Sequence, residues 1–449
     1  MRAYGQLWVK PVKSADSQLI GSDHHWRVRH LLLAPHRLGF FLAMLVLVAS
    51  AAWWLLVQFD RVSVTVALPY VTSPTLVHAT AMTFGFFPLF FVGFLFTAVP
   101  KWLRVEMLET RVFTVPLLMQ ATGWLLWLGG SHWHTVLVLS GLALAWSGFT
   151  RTAWLFWRMV WRSREVDQLH ARTVGVAWLI GCLSLGGLLA NLVLGATAVA
   201  LACVLTGLWG FVIVVFVTVA HRMVPFFTSN AMPFIAAWKP FWALGLMLTS
   251  AALEVLAVWL EVDGPMHGPM APVWMLVRGS MELLSGFVLL WLALMWGLAQ
   301  SLKNRLLAML HIGFLWLGLG LLLGGVAQLL GLVQGTPVLS LGSLHAVAMG
   351  CLALLHIDVT VLLASLMLAM VTRVSCGFTG RSVVADRAIW TIFWLLQVSV
   401  LLRIAAAAQS VWASWLLLPA ALLWASVVLT WSWRLGGWYG RVRPDGRAG

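Results

Sequence analysis

Charge is scarce in this 449-residue chain: Asp, Glu, Lys and Arg together make up 9% of it, and only 14 residues are acidic. Hydrophobic residues make up 61%. No soluble domain of this length could hide so much apolar surface, which excludes a water-soluble globular class. Cysteine is nearly absent as well. Cys182, Cys203, Cys351 and Cys376 are scattered, with no C-x-x-C and no C-x-x-C-H, which argues against a disulfide scaffold, a zinc knuckle and covalently attached c-type haem. No cleavable leader is expected, because residues 1–37 are polar and basic and the first apolar run is long enough to remain as an anchor. No internal repeat stands out, and no polar connection is long enough to form a domain. Any chemistry must therefore lie among the apolar segments.

What is present is a series of twelve apolar stretches, near 38–58, 75–99, 113–129, 134–156, 174–196, 198–219, 238–260, 280–300, 309–333, 339–371, 387–408 and 411–433. Most are close to the ~20 residues that cross ~30 Å of hydrocarbon. The expected fold is an all-α, polytopic integral membrane protein. All but three of the 28 Lys and Arg fall on alternate connections; the exceptions are Arg61, Arg278 and Arg403. Basic segments resist translocation, so both termini are expected in the cytoplasm, with a basic tail at 1–37, a membrane domain at 38–433 and a second tail at 434–449. The net charge of +14 sits at span ends, where anionic headgroups of the lipid bilayer are the natural partner; nucleic acid is not expected. The 29 Trp residues read as interfacial belts and bulk packing.

Ionisable groups inside spans cost free energy and point to function. Five histidines lie in spans or at their edges: His78, His221, His311, His345 and His356. By topology His78 and His345 share the outer leaflet, and His221 and His311 lie together near the inner face. Neutral imidazole is a common axial ligand for haem, and two rings on separate helices can grip a porphyrin between them. The bland alternative is a buried histidine that hydrogen-bonds a neighbouring helix. For His78 and His345 the ligand reading is preferred. His345 and His356 are eleven residues apart, so they return to one helix face ~16 Å apart. Span 10 is too long for the bilayer, and Asp358 marks where it could break. Glu254 and Glu282 are the other acids within spans; a protonated carboxyl bonding a neighbouring helix is the favoured reading for Glu254. Arg222, Lys101 and Arg373 are span-end cations that snorkel by default, and Arg222 could alternatively fork onto a haem propionate.

Several strings carry more than spacing. "VHATAMTFGFFPLFFVGFLFTAVPKWL" from Val77, "HRMVPFFTSNAM" from His221, "LHIGFLWLGLGLLL" from Leu310, "LHAVAMG" from Leu344 and "LAMVTRVSCGFTGR" from Leu368 together resemble the NnrS family, in order and over most of the chain. The resemblance implies a twelve-span bacterial inner-membrane protein containing haem and copper that protects against nitric oxide and nitrosative stress. It carries over His78, His221 with Arg222, and His311. His345 matches the span 10 motif by identity and His356 by spacing, and both stay open. Relatives commonly carry a second histidine and an acid where Thr80, Ala81 and Met82 follow His78, and a histidine where this chain has Phe378; the copper is put in question more than the haem. Met82, one turn below His78, offers a soft sulfur for Cu(I) or fills a core gap.

The expected function is therefore a membrane protein with b-type haem between spans 2 and 10, held by His78 and His345, with His356 and Arg222 as further cofactor contacts. A second metal or haem is expected at His221 and His311. Scavenging of nitric oxide, turnover as a haem-dependent oxidoreductase fed by an unidentified electron donor, and sensing all remain open. The rivals are a secondary transporter with a midplane site around Glu254 or Asp358, and a metal-free assembly protein.

Overall fold

The computed structural model describes residues 25–63, 67–333, 364–408 and 413–443. His345, His356, Asp358 and Cys351, with most of the tenth expected span, lie outside the described residues. Eleven helices among the described residues are long and apolar enough to cross a membrane: α1 Pro35–Val62, α2 Pro74–Leu103, α3 Arg111–Trp133, α4 Thr135–Arg162, α5 Leu169–Leu194, α6 Thr197–Ala231, α7 Phe241–Leu260, α8 Ala271–Met295, α9 Arg305–Val333, and, after the shorter α10 Ala364–Phe378, α11 Arg387–Ala406 and α12 Trp415–Tyr439. The architecture is all-helical and polytopic, as expected. Helices satisfy every internal backbone group within the segment, which hydrocarbon demands. The outward faces carry Val115, Leu183, Phe287 and Trp433 in the open, a surface that lipid covers and water would not tolerate.

Neighbours in sequence pack as antiparallel pairs: α3 on α4, α8 on α9, and α11 on α12. Apolar tails compete for apolar helix faces as well as other helices do, so close approach rather than hydrophobicity selects the pairs. Gly123 and Gly141 show this: a Cβ on Gly123 would fall 2.5 Å from the Gly141 carbonyl oxygen, and one on Gly141 2.7 Å from that of Gly123. The α1–α2 crossing is set the same way, with a Cβ at Gly39 placed 2.8 Å from the Gly93 nitrogen.

The two ends of the chain meet. Arg37, fully buried at the start of α1, donates to the carbonyls of Tyr439 at 3.1 Å and Arg441 at 2.7 Å. His30, in the turn before α1, donates from Nδ1 to the Gly440 carbonyl at 2.7 Å. These are the orphan acceptors at the end of α12, where a cation is also favoured by the helix dipole. These contacts join residues 30 and 37 to residues 439–441.

Between α7 and α8 lies a buried charge cluster. Arg278, 3% exposed, reaches Glu254 at 2.8 Å, Glu282 at 2.7 Å and Glu261 at 3.0 Å. Glu254 was expected to bond a neighbouring helix, and it does so through Arg278, a guanidinium read in sequence as part of an outer connection that turns inward to meet it. Removing one member of such a cluster strands the others, whereas replacing all of them with apolar residues does not. Arg278→Met is expected to destabilise the protein by about 3–5 kcal/mol, seen as a lowered unfolding midpoint in detergent. Adding Glu254→Leu and Glu282→Leu should recover most of the loss, and an unchanged midpoint in Arg278→Met would contradict this account.

Candidate cofactor site

His78 sits in the second turn of α2, and its ring stacks on Trp54 of α1 with centroids 3.8 Å apart and planes 15° from parallel. It faces a cavity of about 260 Å³ whose walls include Phe86 and Phe87 of α2, Leu208 of α6 and Trp424 of α12, with Arg403 of α11 as the cationic group. No hydrogen bond to the His78 ring occurs among the described residues. Two irregular turns open this space. Ala81–Gly85 in α2 and Leu208–Ile213 in α6 are wound as π-helix, and they place Met82, Thr83 and Leu208 on the lining. The cause in α2 is local: Pro88 has no N–H to return to the Phe84 carbonyl, so the regular ladder cannot run through. Wide turns of this kind recur at functional sites.

His132 provides the contrast. Its Nδ1 donates to the Pro69 carbonyl at 2.9 Å and its Nε2 accepts from Trp53 Nε1 at 2.8 Å. Both nitrogens are used, tying the connection between α1 and α2 to α1 and α3. That is a structural histidine; His78 has no such duty.

A second group of histidines lies at the opposite end of the bundle. His221 Nε2 meets the Pro240 carbonyl at 3.0 Å and must donate to it, which leaves Nδ1 of the neutral ring as an acceptor. His170 Nε2, 3.0 Å from that Nδ1, is then the donor. The His170 Nδ1 that remains is buried with no partner. His311 Nε2 lies 3.0 Å from Thr228 Oγ1, whose hydroxyl is also 2.9 Å from the Val224 carbonyl. If that carbonyl takes the hydroxyl proton, His311 donates from Nε2 and its Nδ1, also buried and unpartnered, is left bare. His36, at the start of α1, is fully buried with neither ring nitrogen paired, and its ring lies 4.8 Å from that of Phe378.

The expected residues therefore divide. His78 lines the cavity, and Met82 joins it there. His221 and His311 lie at the other end, but each bonds a different neighbour rather than forming the expected pair. Helix α5 begins at Leu169, which draws His170 out of the expected connection and into the bundle beside His221. Arg222 pairs with Asp167 at 3.8 Å and stacks 4.8 Å from Trp102; it does not line the His78 cavity. Sequence reasoning overlooked Trp54, Arg403 and His170. For Arg403 a signal existed: it is one of three cations on the connections that otherwise carry none. No group of three or more His, Cys, Asp or Glu side chains among the described residues is placed to hold a metal ion.

Compared with known families, residues 30–443 match the model of the NnrS protein family. No curated protein and no solved structure matches the chain.

The different duties of His78 and His132 predict different costs. In protein prepared without any cofactor, His132→Ala is expected to lower stability by about 1–3 kcal/mol, because the Trp53 N–H and the Pro69 carbonyl lose their partner. His78→Ala strands no hydrogen-bond partner and should cost less, about 0.5–1 kcal/mol for the lost stack on Trp54. Equal losses in thermal unfolding would show that His78 is a packing residue.

Proposed function

The chain belongs to the NnrS family, and from that premise we propose that it holds a b-type haem in the cavity beside His78, with His78 as an axial ligand, and that it protects the cell against nitric oxide. One observation carries the reading: an imidazole that lines an apolar cavity of about 260 Å³ without any hydrogen bond to its ring among the described residues. The donor set fits the group. Haem asks for a neutral imidazole, an apolar wall for the macrocycle and cationic partners for its carboxylates, and His78, Phe87 with Trp424, and Arg403 are of those kinds. His345 and His356, outside the described residues, stay as the further candidate ligands from sequence.

A haem bound there would supply the chemistry for binding nitric oxide or for electron transfer, with His78 offering the imidazole and Arg403 the cation for its carboxylates. A second void of about 40 Å³ is walled by Phe90, Phe91, Phe216 and Met367. A space so apolar suits a small uncharged molecule and excludes ions. The transporter reading loses support from Glu254, which is neutralised by Arg278 and does not line the cavity. The proposed location is the bacterial inner membrane with both termini cytoplasmic, supported by the alternation of basic residues.

A second metal, copper, is proposed at the opposite end, and one observation favours it. Metal-binding histidines commonly donate their far ring nitrogen to a carbonyl, and His221 does this to Pro240. Its near nitrogen is then fixed toward His170, so the pair His170 and His221, more than His221 and His311, is placed to share an ion in exchange for the bridging proton.

Purified protein reduced with dithionite is expected to show a Soret band that is lost in His78→Ala. A colourless, iron-free wild-type preparation would refute the haem reading. Copper per chain, measured by elemental analysis, should fall several-fold in the His170→Ala and His221→Ala double variant while the Soret band is kept; unchanged copper would remove the second site.

A further inference from the structure

Two cations converge on one side chain of the cavity wall, Trp54: Arg403, which lines the cavity as well, and Arg61, exposed at the end of α1. The Arg403 guanidinium carbon lies 5.7 Å from the centre of the Trp54 ring and that of Arg61 lies 5.3 Å from it. His78 stacks on the same ring. Neither guanidinium has an ion pair or a hydrogen bond among the described residues. Three other arginines in the bundle are compensated by acceptors, Arg278 by three glutamates, Arg37 by carbonyls and Arg434 by Asp386, whereas Arg373 and Arg381 stack singly on Phe227 and Trp438; at Trp54 two cations share one ring beside a cavity. Asp60, next to Arg61 in sequence, is already committed, accepting from the Leu68 amide and the Tyr70 hydroxyl at 2.9 Å each.

Stacking on an indole repays a cation by only about 0.5–2 kcal/mol, and two like charges at one ring repel. An arrangement with two cations, no carboxylate and an adjoining apolar cavity is complementary to an amphiphilic anion, with its apolar body inside and its negative end at Trp54. We propose that Arg403, assisted by Arg61, is the anchor for the carboxylates of the molecule that fills the cavity. This rests on the haem reading, in which those carboxylates are the two propionates, and it would make Arg403 the residue that orients the bound molecule. Arg403 is thus a positioning residue, setting orientation and selectivity, while His78 bonds the metal.

The test compares haem b with its dimethyl ester, in which both carboxylates are capped, added to the full-length protein purified without haem. Binding is read by the Soret band and by quenching of tryptophan fluorescence. Wild type should bind the free acid at least about tenfold more tightly than the ester, as expected for a lost charge-assisted contact; this arm needs no variant to fold. In Arg403→Gln the preference should shrink toward unity with ester binding unchanged, and Arg403→Lys should keep part of it. If haem binds in a His78-dependent way but Arg403→Gln keeps the full preference, the anchor proposal is overturned and the haem reading stands. If neither porphyrin binds wild type, the haem reading itself falls. Native mass spectrometry then supplies the last arm: an anionic phospholipid retained by wild type and lost in Arg403→Gln would reassign the two cations to a lipid phosphate and overturn the carboxylate assignment.

Discussion

The cost of taking a polar group out of water shapes this molecule at every level. It forces the backbone into helices, because hydrocarbon offers no partner to a free amide. It also forces each buried side chain to be compensated or to have a reason for going without. Arg278 meets three carboxylates, Arg37 meets the last carbonyls of α12, and His132 uses both of its nitrogens. Against that background the uncompensated groups stand out. The His78 ring and the Arg403 guanidinium share one cavity, and the bare nitrogens of His170, His311 and His36 lie at the other end. The unbalanced groups, more than the buried ones as such, mark where a further component fits.

Much of the fold was legible in hydropathy alone. The described helices fall where the apolar runs fall, with ends displaced by a few residues because helices extend past the hydrocarbon into the interface. His78 could be found as an ionisable residue at the start of a span. What could not be read was which helix face meets which neighbour. His170 was set aside as part of a connection, yet one turn of helix decides whether it faces water or His221. Glu254 looked like a neutral carboxyl because its partner, Arg278, was counted as part of a loop.

The rule that basic residues stay on one side had three exceptions, Arg61, Arg278 and Arg403. All three have found specific settings: Arg278 holds the carboxylate cluster, and the other two converge on Trp54. A cation on the translocated side opposes the sorting of charge during insertion, so its presence signals a role in the finished structure. That inference was available from the sequence. It required reading the exceptions to the pattern as closely as the pattern.

The cavity walls are drawn from both extremes of the chain, α1 and α2 at one end and α11 and α12 at the other, and Arg37 staples the first helix to the last. While the ribosome is still synthesising the protein, that enclosure does not exist. Nothing can be retained there until the final span has left the translocon and docked on the first. Capture of any guest is consequently a late event in biogenesis, and a polypeptide that stalls before α12 would be left in the membrane with Trp54 and His78 open to lipid.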